Sequence, residues 1–283
     1  MGGYPELPSI LTTRLLLTRL HFMRILFIGD IVGKPARKAV TQILPQLRIE
    51  LGVEFVIANV ENTAHGKGIT SSTWQELRDA GVDVGTGGNH TFSKPESSDI
   101  HNDKTQPLVR PMNLPLGTAG VGQKTFTVGQ KKLMVVNFLG EFGMKIDGVE
   151  NAFAAAQHWW KSSLAADIII VDMHAEATSE KIAMGWYLDG KVTAVLGTHT
   201  HVPTADERVL PKGTGYITDV GMVGLRDSSL GVDKDMALQR FLTGQKAPNE
   251  IPDHGLVAFN AVLLNIDGNH CAKIERVYRE ITV

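Results

Sequence analysis

The sequence is poor in cysteine, in net charge and in long apolar runs, and each shortage excludes a class of protein. Cys271 is the single cysteine among 283 residues, so neither a disulfide framework nor a thiolate metal cage can form within one chain. Basic and acidic residues number 28 and 30, which removes the general basic footprint of a nucleic-acid-binding protein but not a local basic patch. A metal ion would be held by His, Asp, Glu or Asn, a donor set that suits Mn, Fe or Zn in a hydrolytic site.

The first 22 residues differ in character from the rest of the chain. The stretch 11–20 is basic and apolar, but Arg14 and Arg19 interrupt it before it is long enough to span a bilayer. It also lacks the clean apolar run and the cleavage site of a signal peptide. We therefore predict that residues 1–22 are a poorly ordered extension or the product of a misassigned start, and that the protein is cytoplasmic with no membrane partner.

From Met23 onward, apolar runs alternate with amphipathic stretches. The apolar runs predict strands at 24–30, 54–60, 82–86, 133–138, 167–172, 192–196, 215–218 and 256–266, and the amphipathic stretches predict helices at 36–51, 72–80, 151–166 and 178–188. Solidly apolar strands separated by helices predict sheet buried on both faces, and the shorter connections of the second half predict some antiparallel pairing. No linker interrupts the pattern, so we expect one α/β domain over residues 23–283.

The most informative short segment is 195–201, where an apolar run ends in Gly197 and two histidines follow, His199 and His201. If the extended backbone continues, residues two apart point to the same side. Both rings would then face one point beyond the end of the strand, as ligands of a transition metal do on an α/β scaffold. The alternative is a pair of surface loop residues.

Polar residues follow the apolar run at four other places. They are Asp30, the pair Glu61 and Asn62, the pair Asn89 and His90, and the pair Asp172 and His174. Because ligands of open α/β sheets bind outside the carboxyl ends of the strands, five segments would deliver carboxylate, amide and imidazole groups to one rim. We expect Asp172, which would lie deeper in its strand, to orient an imidazole rather than to bind a metal directly.

Each of these residues has a structural alternative when it is taken alone. Asp30 could cap a helix or a turn, Asn89 could be a turn residue, and Glu61 could be the solvated end of a strand. His174 could be a hydrogen-bonded core histidine. The alternatives would all have to hold independently at successive strand ends, so the shared pattern favours a metal site.

Six motifs resemble the YmdB-like branch of the calcineurin-type metallophosphoesterases. They are Gly29-Asp30-Ile31-Val32-Gly33, Asn59-Val60-Glu61-Asn62, Gly88-Asn89-His90, the segment 172–181, the segment 197–206 and Thr218-Asp219-Val220-Gly221-Met222-Val223-Gly224. The resemblance runs from about Met23 to the C-terminus. It implies a four-layer α/β/β/α sandwich with mixed sheets and a metal site at the carboxyl ends of the strands. The superfamily's first Asp-x-His lacks its histidine here, as is normal in this branch, and Asn62 looks like the replacement ligand.

The resemblance also implies a site with two metal ions. Glu61 would bridge them, Asp30, Asn62 and His201 would complete one metal site, and Asn89, His174 and His199 would complete the other. The ions would be divalent or of mixed valence, iron or manganese first and zinc as the alternative. Two cations about 3.5–4 Å apart can hold a shared hydroxide and offset charge on the phosphate oxygens. His90 would be the general acid that protonates the leaving oxygen.

Phosphodiesters, and 2′,3′-cyclic nucleotides above all, are the substrates that the resemblance implies. The alternatives are a broad phosphomonoesterase or nuclease with the same metals, and a regulatory, RNA-linked protein with weak hydrolase activity. Phe92, Trp186 and Tyr187 are candidates for stacking on a base, with a core or rim position as the alternative. Arg226 is a candidate phosphate contact, with a solvated arginine as the alternative. Assembly into a homo-oligomer is left open.

Overall fold

The part of the chain that the structure describes contains six helices and fourteen strands. The structure is a computed structural model and describes residues 22–144, 146–162, 166–245 and 250–283. The helices are α1 (Gly33–Glu50), α2 (Ser71–Asp79), α3 (Ser97–Asn102), α4 (Ala152–Ser162), α5 (Thr178–Leu188) and α6 (Lys234–Thr243). The strands are β1 (Met23–Ile28), β2 (Asp30–Ile31), β3 (Phe55–Asn59), β4 (Val84–Thr86), β5 (Leu108–Val109), β6 (Gln123–Val128), β7 (Lys131–Leu139), β8 (Ile168–His174), β9 (Ala194–Thr198), β10 (Arg208–Val209), β11 (Gly215–Ile217), β12 (Met222–Leu225), β13 (Leu256–Asp267) and β14 (His270–Thr282).

The strands form two mixed sheets. The first has the order β2-β12-β13-β1-β3-β4-β5, with β14 beside β13, and the second has the order β10-β11-β9-β8-β7-β6. The run β1-β3-β4-β5 is parallel, as is the run β7-β8-β9-β11. Antiparallel strands β13 and β14 join the first sheet, and β6 and β10 close the two edges of the second.

The two sheets pack face to face, and helices cover their outer faces. Alternate residues of β1 show the division, because side chains of a strand point to opposite faces in turn. Ile25 and Phe27 belong to the core between the sheets, together with Leu133 and Val135 of β7. Leu26 belongs to a second core that includes apolar residues of α1 and α2, and a third core joins the outer face of the second sheet to α4 and α5. The predicted α/β/β/α sandwich is confirmed.

The predicted strand over 24–30 is divided at Gly29. The segment 30–31 leaves β13 and pairs with β12, and the backbone of Gly29 comes so close to the Gly221 carbonyl that a side chain at Gly29 would collide with it. This division matters for the site, because Asp30 Oδ2 then accepts at 3.1 Å from the amide of His199, which follows β9 of the second sheet.

The other predicted elements are present with small shifts at their ends. Helix α1 begins three residues before the predicted start, since Pro35 is tolerated in a first turn. Thr70 caps α2, as its hydroxyl accepts from the Thr73 amide at 3.2 Å. Antiparallel pairing is present in the second half as predicted, and β6 and β7 add an antiparallel pair in the first.

Several predictions stay untested by the fold. The predicted extension over residues 1–22 lies outside the described residues, except for residue 22. Among the described residues, no helix is both long and apolar enough to cross a membrane. A single domain over 23–283, a cytoplasmic location and a homo-oligomer remain predictions.

Candidate metal centre

The eight site residues predicted from the sequence lie together where the parallel strands of both sheets end. They are Asp30 in β2, Glu61 and Asn62 after β3, Asn89 and His90 after β4, His174 at the end of β8, and His199 and His201 after β9. Polar contacts of 3.7 Å or less connect all eight. The parallel register explains the gathering, because it sets His174 beside Thr198 in one sheet and Asn59 beside Thr86 in the other.

His174 is fully buried, and the hydrogen-bond network assigns its proton to Nδ1. The Thr198 hydroxyl donates to Asp172 Oδ1 at 2.6 Å, so at 2.9 Å it accepts from His174 Nδ1. Burial lowers the pKa of His174 to about 4, which keeps the ring neutral with a single proton. The lone pair of Nε2 therefore points toward Glu61 Oε1 and Asn89 Oδ1, each 3.0 Å away.

His199 also directs a ring nitrogen lone pair toward the cluster, and it does so from the side opposite His174. Its Nε2 lies 3.0 Å from Glu176 Oε2, and the nearby carboxylate favours the tautomer with the proton on Nε2. Burial, reinforced by the neighbouring His174, lowers the pKa of His199 to about 3, so this ring too is neutral. Its Nδ1 then holds a lone pair 3.1 Å from His174 Nε2. A carboxylate on the far nitrogen of a histidine is a usual arrangement around metal ligands.

Four possible ligand atoms thus face one another, and the assigned tautomers place no imidazole hydrogen between them. They are Glu61 Oε1, Asn89 Oδ1, His174 Nε2 and His199 Nδ1. Glu61 Oε1 is buried and has no hydrogen-bond partner, although His174 Nε2 is only 3.0 Å away. Facing lone pairs repel one another and are costly to bury, whereas a cation among them would be attracted to all four. The side chains of Glu61, His174 and His199 each offer a ligand atom within 4.8 Å of the others, so this set fits a metal ion.

The remaining three predicted ligands form a looser group beside the first. His201 Nε2 lies 3.7 Å from Asp30 Oδ1, and its Nδ1 lies 3.3 Å from the carbonyl of Leu230, to which it can donate. Asn62 directs its Nδ2, a donor, toward Asp30 Oδ1 and His201 Nε2, both at 3.4 Å. Asn62 could ligate a cation only after its amide turns over to present Oδ1, an exchange of two nearly equivalent atoms.

The carboxyl groups of the cluster are costly to ionise because they are buried. Burial raises the pKa of Asp30 and of Glu61 to about 7. The His90 amide, which donates to Glu61 Oε2 at 2.7 Å, opposes that shift only in part. A cation held by these groups would favour their ionised forms and reverse the shift.

His90 lies next to the cluster and faces a cleft of about 770 Å³ that opens over it. Its ring is half-buried, and its Nε2 is 3.4 Å from Asn89 Nδ2. Burial lowers the pKa of His90, the charge of Glu61 opposes this, and the ammonium of Lys67 adds to it. The ring is therefore accessible to a ligand and changes its proton affinity with the charges around it.

The backbone that bears His199 and His201 is a turn, and the predicted extension of the strand through His201 is wrong. Strand β9 ends at Thr198, and the φ angles of His199 and His201 are 97° and 66°. Both lie in the left-handed region, which costs free energy for a residue with a side chain. The turn sends His199 toward His174 and His201 toward Asp30, so the two rings serve different neighbours.

A buried ion pair that the sequence analysis did not single out holds this turn. Lys181 of α5 and Asp219, which follows β11, are both fully buried, and Lys181 Nζ lies 2.7 Å from Asp219 Oδ2. The same ammonium donates to the Thr198 carbonyl at 3.1 Å. Asp219 Oδ2 accepts from the amide and the hydroxyl of Thr200 at 3.1 and 2.6 Å. The residue between the two histidines is thereby fixed.

Asp172 orients His174 as predicted, but through an intermediate. Its carboxylate accepts from Thr198, Thr86 and Asn59, at 2.6, 2.6 and 3.2 Å, and two of these, Thr198 and Asn59, lie 2.9 and 3.3 Å from His174 Nδ1. Burial raises the pKa of Asp172 to about 7.

The secondary candidates for substrate contact do not lie in the cleft. Phe92 packs against His101, and Tyr187 packs against Phe153. Trp186 lies under the Arg208 guanidinium, and Arg226 forms ion pairs with Asp227 and Glu280. Apart from histidines, the aromatic and basic residues in the described wall of the cleft are Phe241, Arg240, Lys67 and Lys94. None of them lies in a motif that the sequence analysis recognised.

Comparison with known proteins agrees with this geometry. The family model described as YmdB-like protein matches residues 26–277. A 2′,3′-cyclic-nucleotide 2′-phosphodiesterase of Bacillus subtilis is 43% identical over 258 residues, which cover 90% of this chain and 96% of the relative. A crystal structure of a hypothetical protein from Thermus thermophilus matches with a TM-score of 0.85 at 41% identity, covering 91% of this chain and 99% of that one. A structure described as a novel phosphatase from Mycoplasma pneumoniae gives 0.84 at 34% identity, covering 92% and 94%.

A two-sheet sandwich that gathers carboxylate, amide and imidazole groups at the carboxyl ends of its strands defines a metallophosphoesterase of the calcineurin type. Within that class, the family model and the relatives that match most of the chain identify the branch. The chain belongs to the YmdB-like family, as its six motifs predicted.

Proposed function

We propose that the protein is a metal-dependent phosphodiesterase that hydrolyses 2′,3′-cyclic nucleotides. The observation that carries the proposal is the set of four converging acceptor atoms at Glu61, Asn89, His174 and His199, which fits a cation at the floor of an open cleft. The Bacillus subtilis relative with that printed activity supports the choice of substrate. Its match over nine-tenths of the chain supports hydrolysis of phosphoesters more broadly.

The contacts support two groups of three ligands, and the sharing of Glu61 between them rests on the family resemblance. Asn89, His174 and His199 would hold one ion, Asp30, Asn62 and His201 the other, and Glu61 would be shared. When bound, the two ions would activate water and offset the charge on the phosphate oxygens. Iron or manganese is the proposed metal, with zinc as the alternative, because oxygen and imidazole donors discriminate little among them.

His90 is proposed as the general acid. Without a ligand its pKa is lowered by burial, so the ring is neutral near pH 7. An anionic phosphate in the cleft favours the protonated ring, because an opposite charge nearby stabilises the charged form. The protonated ring could then donate to the leaving ribose oxygen, whose departure as an unprotonated alkoxide is slow.

Elemental analysis of the purified protein, combined with rates on three substrates, tests the proposal. We expect up to two ions per chain and a higher kcat/KM on 2′,3′-cyclic AMP than on 3′,5′-cyclic AMP or p-nitrophenyl phosphate. Faster turnover of p-nitrophenyl phosphate would favour the phosphomonoesterase alternative, which the phosphatase description of the Mycoplasma pneumoniae structure supports. No hydrolysis of any substrate by the metal-loaded protein would contradict both.

Asp30→Ala is expected to lose metal and activity together. Asp30 is fully buried and contacts both Asn62 and His201, so its removal leaves the looser group without its only carboxylate besides Glu61. Metal content and kcat on 2′,3′-cyclic AMP are measured on the same preparation. Full metal content in this variant would contradict the ligand assignment.

His90→Ala is expected to keep its metal and lose about 10²–10⁴-fold in kcat, the usual contribution of a general acid. His270→Ala is the matched control, since His270 is exposed at the turn between β13 and β14, at the opposite end of the strands. It should keep both metal and rate. Full activity of His90→Ala would remove the proposed role.

A further inference from the structure

The cleft over the candidate centre is larger and more positive than a single cyclic phosphate requires. Its volume of about 770 Å³ lies high in the usual range for small-ligand pockets, roughly 300–1,000 Å³. Its walls include Lys67, Lys94 and Phe241 besides the proposed ligands and His90. These three side chains have no part in the mechanism proposed above.

Lys67 and Lys94 add positive charge that nothing nearby neutralises. Within the described part of the chain, neither ammonium pairs with a carboxylate. Outside the proposed ligand set, the only described acidic residue in the cleft wall is Glu176, and its Oε2 lies 3.0 Å from His199 Nε2. The ammonium of Lys67 is close enough to influence the proton affinity of His90.

The loop that presents Lys67 is held in a strained conformation. His65 has a φ of 56°, and Gly66 and Gly68 have φ of 79° and 81°. The Gly68 amide donates to the Glu61 carbonyl at 2.5 Å, and the Gly68 carbonyl accepts from the Ala64 amide at 2.9 Å. Left-handed backbone at a residue with a side chain is costly and is concentrated at ligand-binding sites. The loop is therefore fixed to the backbone of a proposed metal ligand.

Lys94 lies against the same loop. A side-chain carbon placed on Gly68 would come within 2.7 Å of Lys94 Cγ, so the lysine stem packs where Gly68 leaves space. Lys94 therefore packs beside the residue that follows Lys67, and both lysines line the same cleft.

Phe241 offers the cleft an aromatic ring, one face of which lies under the Arg240 guanidinium, with 5.4 Å between Arg240 Cζ and the ring centroid. It lies in the last turns of α6, its ring is 76% exposed, and it belongs to none of the hydrophobic cores. An exposed aromatic ring beside a positive groove is the arrangement by which proteins stack on the bases of single-stranded nucleic acid.

We infer that the site takes the 3′ end of an oligoribonucleotide that terminates in a 2′,3′-cyclic phosphate, a substrate class that rests on the function proposed above. The cyclic phosphate would lie over the candidate metal centre, the preceding phosphate would contact Lys67 and Lys94, and a base would stack on Phe241. A free cyclic nucleotide carries a single negative charge, which the metal centre alone can match. A second phosphate group accounts for the two further ammonium groups.

The chemical step is the same for the free nucleotide and for the chain end. Water oxygen bonds to phosphorus, one P–O ester bond of the ring breaks, and the released ribose oxygen takes up a proton. The oligonucleotide then ends in a phosphomonoester, and no oxidant or second substrate is needed.

Steady-state rates test the inference with two probes, 2′,3′-cyclic AMP and a tri-adenylate ending in a 2′,3′-cyclic phosphate. We expect the metal-loaded wild type to have at least a tenfold higher kcat/KM on the trinucleotide. This preference should weaken as salt is added, because contacts between lysines and phosphates release counterions. In Lys67→Gln/Lys94→Gln the ratio of the two kcat/KM values should fall toward one, and in Phe241→Ala it should fall about tenfold, the usual effect of one stacked base.

The control variant is Lys104→Gln, which changes an exposed lysine that does not line the cleft. It should keep the wild-type ratio. An equal or lower kcat/KM of the wild type on the trinucleotide, or an unchanged ratio in the double variant, would overturn the inference while hydrolysis of cyclic AMP upheld the proposed function. Hydrolysis of neither probe would overturn both.

Binding provides a readout that does not depend on turnover. Fluorescence anisotropy with a labelled tri-adenylate 3′-phosphate should give a Kd for the wild type that rises with salt more steeply than the Kd of the double variant, with or without metal. Equal salt dependence in the two proteins would show that Lys67 and Lys94 do not contact a phosphate.

Discussion

His174 and His201 both direct a ring nitrogen at the candidate centre, but the chain positions them by different means. His174 is the last residue of a central strand, and the neutral hydroxyl of Thr198 holds its Nδ1–H. His201 follows a turn whose two histidines have left-handed φ angles. The strand half of the centre, His174 with Asp172 and Thr198, therefore depends on sheet register.

The turn half, 199–201, depends instead on a buried ion pair. Lys181 and Asp219 contact the backbone or the hydroxyl of Thr198 and Thr200, and they offset the cost of the strained backbone. The difference teaches that a ligand on a regular strand already has its backbone fixed, so its support, here Thr198 and the buried Asp172, only sets its tautomer. Ligands on a turn need a support built from groups that are themselves costly to bury.

The largest expected effect comes from breaking the support of the turn half. Lys181→Met leaves Asp219 buried without its cation, and loss of one partner of a buried pair costs about 3–5 kcal/mol. Urea unfolding of the wild type and the variant measures the difference in free energy. Because His199 and His201 lie on this turn and belong to different ligand sets, the same variant should bind both ions less tightly than the wild type does.

Lys34→Met is the control, because Lys34 and Asp253 form a similar lysine–aspartate pair on the surface, with side chains 49% and 65% exposed. Its cost should be about 0–1 kcal/mol. If Lys181→Met costs no more than Lys34→Met, the ion pair does not support the turn.

The difference between strand and turn also explains which site residues could be predicted from the sequence alone. Residues on regular strands were predicted well, because apolar runs mark the strands and polar residues mark their ends. Asp30, Glu61 and His174 are found at the carboxyl edge for that reason. The four-layer fold followed from the motifs, but the order of the strands did not. Strand β13 lies between β12 and β1 through pairings of distant segments, which no local pattern encodes.

The turn half could not be predicted in the same way. In a sequence, glycine usually marks the positions with left-handed φ angles, but here such angles occur at His199 and His201. Lys181 lies in a helix, where a lysine is normally solvated, and its partner Asp219 is 38 residues away. Both residues lie within motifs of the family resemblance, but nothing in the motifs shows that they meet.

A smaller effect is expected from breaking the strand half. Thr198→Val removes the donor to Asp172 Oδ1 and the acceptor of the His174 Nδ1 proton. Leaving buried polar groups unsatisfied costs about 1–3 kcal/mol, and losing such a supporting hydrogen bond weakens metal binding about 10–100-fold. Calorimetric titration of the metal-free protein measures the affinity.

Thr198→Ser keeps the hydroxyl and is the control for that variant. It should bind metal nearly as tightly as the wild type. Wild-type affinity in Thr198→Val would mean that the hydroxyl does not position His174.

The last expected effect is the pH dependence of metal binding, and it separates the carboxyl groups from the imidazoles. In the metal-free protein, burial raises the pKa of Asp30 and Glu61 to about 7, whereas His174 and His199 have pKa values of about 4 and about 3. Protons therefore compete with the metal at the carboxyl groups below pH 7, and at these two imidazoles only below about pH 4. The apparent association constant should fall as the pH drops from 7 to 5, by about two decades per pH unit if both carboxyls release a proton on binding.

Asp30→Asn removes one of the two competing carboxyl groups and is isosteric with the wild type. Its affinity should be lower at every pH, but the slope between pH 5 and 7 should fall by about one decade per pH unit. Proton release, measured by calorimetry in two buffers of different ionisation enthalpy, should fall by about one per chain at pH 6. A slope and a proton release equal to those of the wild type would show that Asp30 is ionised before metal binds, and that the imidazoles set the pH dependence instead.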